Sequence, residues 1–471
     1  MEPRSLAFVC AATDAELQHG SPDVQVRGVC TDSRQVQPGD LFVALTGPRF
    51  DGHSFVSEAV SRGATAALLN RNKAPSNPIG CAVLLADDTR RALGRLAAAY
   101  RRDFDLPVVA VAGSNGKTTT KDLVAAVLSQ RFPTLASPAS FNNDVGVPLT
   151  LLALHRTHRA AVVEVGTNHP GELGPLVAMV APRFGVITNI GREHLEFFGD
   201  LAGVAQEEGM LAEQLPPNGI LFLNGDDPWT PSLASRSRAS VVRVGLGSHN
   251  DWQAQQIQVS DRGTTFVCRA PEPAFSGAYS LSLLGQHQAI NALFALAVGA
   301  ALGCNPDEVR QGLCGCLPPP MRGQLRSVGG VWVLDDCYNA NADSMAAALQ
   351  TLCQLPCAGR RVAVVGDMAE LGPHTAAAHQ EVGRRAAELG VHRLVAVGRW
   401  AGQTAAAARA AGLQDVIELA DVPTAGVQLP KLVEPGDLVL LKASRATGLE
   451  RVAQALAVAF GSLKADWSGG L

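Results

Sequence analysis

The segment Gly113-Ser114-Asn115-Gly116-Lys117-Thr118-Thr119 holds the residues of this chain best suited to gripping a polyanion. Gly113 and Gly116 let the backbone bend until several amide N–H groups face one anion. Lys117 adds a full positive charge, and the Thr118 hydroxyl can reach a divalent cation that bridges two phosphates. The segment follows the apolar run Val108-Val109-Ala110-Val111 and opens a run of helical length, so a helix N-terminus would add its partial charge. The strict phosphate-loop spacing asks for glycine at 111, where this chain has Val111, so the loop is a shorter variant beginning at Gly113. A plain glycine turn capping a helix would account for less of this context. The signal implies a nucleoside triphosphate, with Mg²⁺, and is silent about the reaction.

Further polar residues fall at the ends of apolar runs, where an open α/β sheet puts its ligands. Glu164 ends Ala161–Val165, and Asn189 ends another run, with Glu193 and His194 in the loop behind it. Glu207 and Glu208 are expected at the start of a helix. Thr118, Glu164 and Glu208 could supply the oxygen ligands that a phosphate-bridging metal needs. Each acid or imidazole also has a plainer reading. Glu164 could be a solvated strand-end carboxylate and His194 a hydrogen-bonded structural ring. The Glu207-Glu208 pair could be acids favoured by a helix dipole.

The elements that must position these groups read as three units. Residues 1–104 show short strands and turns, with Thr31–Arg34 and Pro38-Gly39-Asp40 before the apolar Leu41–Leu45, and a helix over Arg90–Arg102. Residues 105–318 alternate strand and helix, with strands at 108–111, Ala161–Val165, Gly185–Asn189 and Gly219–Leu223 and helices at Lys117–Gln130, Leu201–Leu215 and His287–Leu302. That alternation argues for a mostly parallel α/β sheet. Leu317-Pro318-Pro319-Pro320 makes a stiff linker. Residues 319–471 repeat a doubly wound pattern, with strands at Val331–Leu334, Arg361–Val365, His392–Val397 and Asp437–Leu441 and an alanine-rich helix at Ala401–Ala411. The fold class is therefore α/β, in three domains: an N-terminal α/β domain, a central phosphate-loop domain and a C-terminal Rossmann-like domain. The tail from Asp466 is expected to fray.

Composition excludes several classes. Of 471 residues 47% are hydrophobic and 17% charged, as in a soluble globular protein, and a net charge of -4 leaves no footprint for nucleic acid. No apolar run approaches the roughly 18–20 residues of a membrane span. The short apolar stretch after Arg4 soon meets Asp14 and Glu16, so it reads as a first element of the fold and not as a leader. Ten cysteines without a CxxC pair, the nearest two being Cys314-Gly-Cys316, fit neither zinc spacing nor a small disulfide scaffold. They are expected to be reduced and mostly buried, in a cytoplasmic protein that acts as a monomer.

Taken in order, the motifs resemble the Mur ligase family over most of the chain. They are Thr31-Asp32-Ser33-Arg34, the stretch Phe42–His53, the phosphate loop, Phe141–Pro148, Glu164-Val165-Gly166, Asn189–Glu196, Gly285–Asn291, Asp335–Asn341 and Gly366–Gly372. The last two are similar to the family member that adds D-alanyl-D-alanine to a UDP-N-acetylmuramoyl-tripeptide. The resemblance implies an ATP-dependent amide ligase, in which ATP converts the tripeptide's carboxylate to an acyl phosphate that the dipeptide's amine then attacks. It implies catalytic roles for Lys117, Glu164, His194 and Arg322. Nucleotide contacts are implied for residues 113–119, Asn291, Arg322 and Asp336, and metal contacts for Thr118, Glu164 and His194. Substrate contacts are implied for Ser33, Arg34, Arg49, Phe50, Asp51, Asn142, Asn143, Tyr338, Asn339 and Asn341.

The chain departs from the family's pattern at Gln206-Glu207-Glu208-Gly209, where most members carry a lysine that CO₂ converts to a metal-binding carbamate. Glu208 stands in its place, with the same charge on a shorter arm. Either it reaches a second Mg²⁺ through water or a closer helix, or that feature is lost. Gln288 and Ala342 are smaller departures. A non-catalytic nucleotide-binding relative and a sibling ligase with another amine are the rival readings.

Overall fold

The computed structural model describes residues 1–48, 50–74 and 79–461. In the first unit, strands β1 (Glu16–His19), β2 (Gly28–Cys30), β3 (Asp40–Val43), β4 (Ala66–Asn70) and β5 (Ala82–Ala86) form a sheet of order β1-β5-β4-β3-β2. All neighbours are parallel except β1, which runs antiparallel to β5. Helix α1 (Thr89–Arg101) closes the unit, started by Asp88, whose carboxylate accepts from the amides of Arg90 and Arg91.

The central sheet has nine strands: β6 (Val108–Ala112), β7 (Thr134–Ala136), β8 (Ala160–Glu164), β9 (Phe184–Ile187), β10 (Ile220–Asn224), β11 (Ser240–Gly245), β12 (Trp252–Ser260), β13 (Gly263–Arg269) and β14 (Gly277–Leu281). Their order is β14-β13-β12-β11-β10-β9-β6-β8-β7, so the chain reverses direction across the sheet beside β6. Every residue of β6 is buried, because helices cover both faces. Successive side chains alternate, so Val109 and Val111 enter one core while Val108, Ala110 and Ala112 enter the other. Helix α2 (Lys117–Leu128) leaves the end of β6 and lies on the first of these faces; α3 (Leu201–Glu208) and α4 (Met210–Gln214) lie on the second, and α5 (His287–Ala301) and α6 (Pro306–Gly315) pack beside α2.

The last sheet, of β15 (Gln324–Val328), β16 (Val331–Asp335), β17 (Arg361–Val365), β18 (Arg393–Val397), β19 (Val416–Leu419) and β20 (Leu438–Lys442), has the order β15-β16-β20-β17-β18-β19. It is parallel apart from β15. Helices α7 (Ala342–Gln354) and α8 (Thr375–Glu388) follow β16 and β17. Two separate cores flank this sheet.

Three expectations need correction. The helix expected over 201–215 is interrupted at Gly209, where the Arg236 guanidinium takes the Gln206 carbonyl at 2.8 Å, although the Gly209 amide still reaches the Ala205 carbonyl at 3.0 Å. Glu207 and Glu208 therefore close a helix and do not start one, so no helix dipole favours them there. The cysteines are all free, as expected, but only Cys268, Cys304, Cys316 and Cys337 are buried, and Cys314 is exposed. The antiparallel ribbon β12–β14 has no counterpart in the expected elements. Among the described residues no helix is long and apolar enough to cross a membrane.

The first unit and one face of the central sheet share a single core, in which Leu41, Leu68, Leu93 and Leu96 belong to the same cluster as Ala110, Val163 and Val177. Tyr100 on α1 ties them further, donating to the Leu154 carbonyl and accepting from the Glu2 amide, both at 2.7 Å. Tyr100→Phe strands the buried Leu154 carbonyl and the part-buried Glu2 amide. It should cost about 1–3 kcal/mol, read as a lower thermal unfolding midpoint with no change in secondary structure by circular dichroism.

Candidate active site

Three loops leave the ends of β6, β8 and β9 side by side, because those strands are neighbours in the sheet. The loop after β6 holds Gly113 at φ 108° and Gly116 at φ 84°, a region that side chains rarely tolerate. A Cβ on Gly113 would lie 2.4 Å from Thr188 Oγ1, and one on Gly116 2.8 Å from Asn291 Oδ1, so close packing also requires glycine. The loop after β9 braces this turn. The Ser114 amide donates to the Asn189 carbonyl at 2.9 Å, the Asn115 amide to Asn189 Oδ1 at 3.1 Å, and the Gly191 amide to Ser114 Oγ at 2.8 Å.

Lys117 opens α2 and folds back over the loop. Its ammonium donates to the Gly113 carbonyl at 2.5 Å, the Ser114 carbonyl at 3.2 Å and Glu193 Oε2 at 3.2 Å. Burial works to lower its proton affinity, but the charges of Glu193, Glu208 and Glu164 outweigh burial and raise it. The group stays charged. Those three carboxylates are buried, and each keeps one oxygen with no hydrogen-bond partner: Glu164 Oε2, Glu193 Oε1 and Glu208 Oε1. The acids outnumber the ammonium, so the pocket is short of positive charge even while burial keeps a proton on Glu208.

A cavity of about 1560 Å³ opens above this cluster. The central unit lines it with Ser114 to Thr119, Asn142, Asn143, Glu164, His194 and Asn291, and the last unit with Arg322, Asp336, Tyr338, Asn339 and Asn341. The structure thus brings together the expected groups on either side of the proline-rich linker. Asn142 Nδ2 donates to Glu164 Oε1 at 2.8 Å, and Asn143 caps the turn that follows it. Asn291 accepts from Thr120 and donates to Gln288. The Arg322 guanidinium carbon stands 3.9 Å from the centre of the Tyr338 ring, whose hydroxyl bonds Ser140. Asn341 donates to Asn115 Oδ1 at 2.9 Å while its own oxygen caps α7. Nδ1 of His194 bonds Glu370 Oε2 at 2.5 Å, and that bond, first among its causes, holds the Glu370 carboxyl below the usual range.

The residues expected to bind the sugar nucleotide lie outside this cavity. Ser33 donates to Glu58 Oε2, Arg34 pairs with Asp32, and Asp51 accepts from Lys73 and His53. Phe50 is largely exposed. Arg49 lies outside the described residues.

Glu208, expected either to reach a second metal or to have lost that role, is placed under the phosphate loop. Its Oε2 accepts the Gly113 amide at 2.6 Å from beneath the loop, and it does not line the cavity. The helix end that carries it is held under the loop and not beside the cleft. Glu207 faces the other way and accepts the amides of Gly171 and Leu173, at the start of the helix Leu173–Val180. Among the described residues no group of three or more His, Cys, Asp and Glu side chains is arranged to hold a metal unaided. A phosphate-bridging metal needs fewer protein ligands, and the unpartnered buried Glu164 Oε2 beside the loop that carries Thr118 fits that demand.

Two functional groups carried no role in the sequence reading. Glu193, one of the polar residues of the loop behind Asn189, is the direct partner of Lys117. Lys442, at the end of β20, donates to Asp336 Oδ2 at 2.6 Å and the Asn339 carbonyl at 3.0 Å. A lysine ending an otherwise apolar parallel strand is the signal that could have found it.

Residues 25–101 match the family model "Mur ligase family, catalytic domain", residues 111–299 "Mur ligase middle domain", and residues 321–445 "Mur ligase, glutamate ligase domain". A relative from Escherichia coli, named UDP-N-acetylmuramoyl-tripeptide--D-alanyl-D-alanine ligase, is 39% identical over 94% of this chain and 96% of its own. The chain belongs to the Mur ligase family. Within that family, a crystal structure of MurF from Acinetobacter baumannii superimposes with a TM-score of 0.89 at 32% identity, covering 97% of this chain and 99% of that one. MurF ligase from Thermotoga maritima in complex with ADP gives 0.80 at 28% identity, over 93% and 98%.

Where the family pattern carries lysine, this Mur ligase thus buries a carboxylate that grips the phosphate loop. Burial, the largest cause, pushes Glu208 up to about 8, with Glu193 adding to it and Lys117 opposing. A carboxyl whose folded value is raised binds an extra proton in the folded state between the ordinary range and about 8, so its contribution to stability is lost as pH rises through that window. Without nucleotide or magnesium, the thermal midpoint should fall between pH 5 and 8. Glu208→Gln, which still accepts the Gly113 amide, should flatten that slope, as differential scanning calorimetry would measure.

Proposed function

We propose that this chain is an ATP-dependent ligase that joins D-alanyl-D-alanine to a UDP-N-acetylmuramoyl-tripeptide, releasing ADP and phosphate. The observation that carries the reading is the Lys117 ammonium, set at the base of a cleft whose opposite wall holds Arg322, Asp336 and Lys442. Such a site can take a triphosphate from one side and close over its end from the other. In this reading the nucleotide's phosphates take the amides of residues 113–119, Asn291 meets the nucleoside, and Asp336 contacts it from the last unit. Thr118 and Glu164 would hold Mg²⁺, and His194, oriented by its bond to Glu370, would help hold a second ion. When bound, Mg²⁺ supplies positive charge that offsets repulsion between the two reacting anions.

The tripeptide's terminal carboxylate oxygen attacks the γ-phosphorus, and the bond to ADP breaks. Lys117 and Arg322 stabilise the charge on the migrating phosphoryl group. The dipeptide's amine then attacks the acyl carbon, phosphate leaves, and the amide forms. Tyr338, Asn339 and Asn341 orient the dipeptide, while Asn142 and Asn143 steer the tripeptide arm. Ser33, Arg34, Arg49, Phe50 and Asp51 serve the sugar nucleotide; the exposed Arg34 and Phe50 are the members free to meet it. Closure of the last unit keeps water from the acyl phosphate. The free thiols and the use of ATP support the cytoplasm.

Phosphate release should require ATP, the tripeptide nucleotide and D-alanyl-D-alanine together, and omission of any one should abolish it. Lys117→Ala should lower kcat by about 100- to 1000-fold. Release that proceeds equally with glutamate in place of the dipeptide, or that survives the Lys117 substitution, overturns the reading.

A further inference from the structure

Between Gly191, which braces Ser114, and Glu193, which pairs with Lys117, stands Arg192. Its side chain leaves the central unit and is held by two carboxylates of the last unit. Nε and Nη2 donate to Asp343 Oδ1 at 2.9 and 2.6 Å, and Nη1 and Nη2 to Glu381 Oε2 and Oε1 at 2.5 and 3.1 Å. Its backbone amide donates to the other oxygen of Asp343 at 2.7 Å. Five hydrogen bonds thus join one residue to two different helices, Asp343 in the first turn of α7 and Glu381 in the middle of α8. An ordinary surface pair contributes little. A planar guanidinium that takes one carboxylate in bidentate fashion and shares a second fixes an orientation as well as a contact.

We propose that Arg192 is a positioning residue for the ligase reaction: docking of the last unit on its guanidinium seats the loop 189–194, and with it Glu193 against Lys117. The inference rests on the functional reading given above and adds to it how closure is sensed at the phosphate end. Both sequence neighbours of Arg192 touch the phosphate loop, as Asn189 does further back, so a shift of its backbone by an ångström is felt there. When the last unit departs, Arg192 loses both acids, and the loop is left to its central-unit bonds alone. ATP can still bind to the amides of the central unit. What is lost is the arrangement in which Lys117 faces the migrating phosphoryl group.

The test is Arg192→Ala, measured by phosphate release under saturating substrates and by small-angle X-ray scattering with a non-hydrolysable ATP analogue. We expect kcat to fall about 100-fold with the KM for ATP changed by no more than about 3-fold, as misplacement without lost ground-state binding requires. The scattering radius should rise. Arg192→Lys should recover part of the turnover, since an ammonium keeps the charge but not the fork. Adding Glu381→Gln to Arg192→Ala should cost nothing further, because the shared interaction is already gone. Wild-type turnover in Arg192→Ala, a loss confined to KM, or an unchanged radius each overturn the proposal. If Arg192→Ala does not fold, Glu381→Gln alone is read in the same way, with a smaller loss expected. Wild-type protein that is inactive on these substrates would sink the functional reading, while the scattering comparison would still decide the role of Arg192.

Discussion

One ammonium group, on Lys117, sits among three buried acids and pairs directly with one of them, Glu193. Glu164 comes from the end of β8, Glu193 from the loop behind β9 and Glu208 from the end of α3. An unpaired charge in such surroundings costs several kcal/mol, so the positions of these three elements are tied to that of one side chain. The tie is incomplete by design of charge: each acid retains an oxygen without a partner, and the pocket accepts further cationic charge more readily than it would accept a bare polyanion. A triphosphate that arrives with its metal meets that requirement. One that arrives alone does not.

The sheet makes this convergence possible. Parallel strands present all their C-terminal ends to one edge, and the reversal of strand order beside β6 opens a crevice there. The last unit repeats the arrangement and turns its own strand ends, with Asp336 and Lys442, toward the same crevice. The two edges meet through polar contacts: Arg192 with Asp343 and Glu381, His194 with Glu370, Asn341 with Asn115. Beside them the central unit's Leu284 and Val259 pack against the core of the last unit, so the two are joined by a small apolar patch as well as by polar pairs.

Strands buried on both faces were legible because nothing polar interrupts them; Arg361–Val365 is found where its apolar run predicts it. The ribbon β12–β14 was not, since Gln253, Gln255, Gln256 and Gln258 blur its alternation and a bulge at Gln256, with φ 50°, shifts its register. The phosphate loop and Glu164 were legible from residue type next to an apolar run. The position of Glu208 was not, because helical spacing runs through 201–215 and Arg236, which takes the Gln206 carbonyl at the interruption, lies in a later element. Arg192 was passed over for a related reason: its partners Asp343 and Glu381 are more than a hundred residues away, and no local pattern announces them.

The continuous core that joins the first unit to the central sheet has a consequence for the peptide arm. With no separate layer of side chains between them, there is no plane along which the two could slide. A sugar nucleotide anchored on the first unit would then hang at a constant span from Lys117. Such a scaffold would work as a ruler: an arm one residue too short would fall shy of the phosphorus, and one residue too long would have to buckle. Discrimination by length needs no dedicated pocket for each amino acid, only rigidity at the far end.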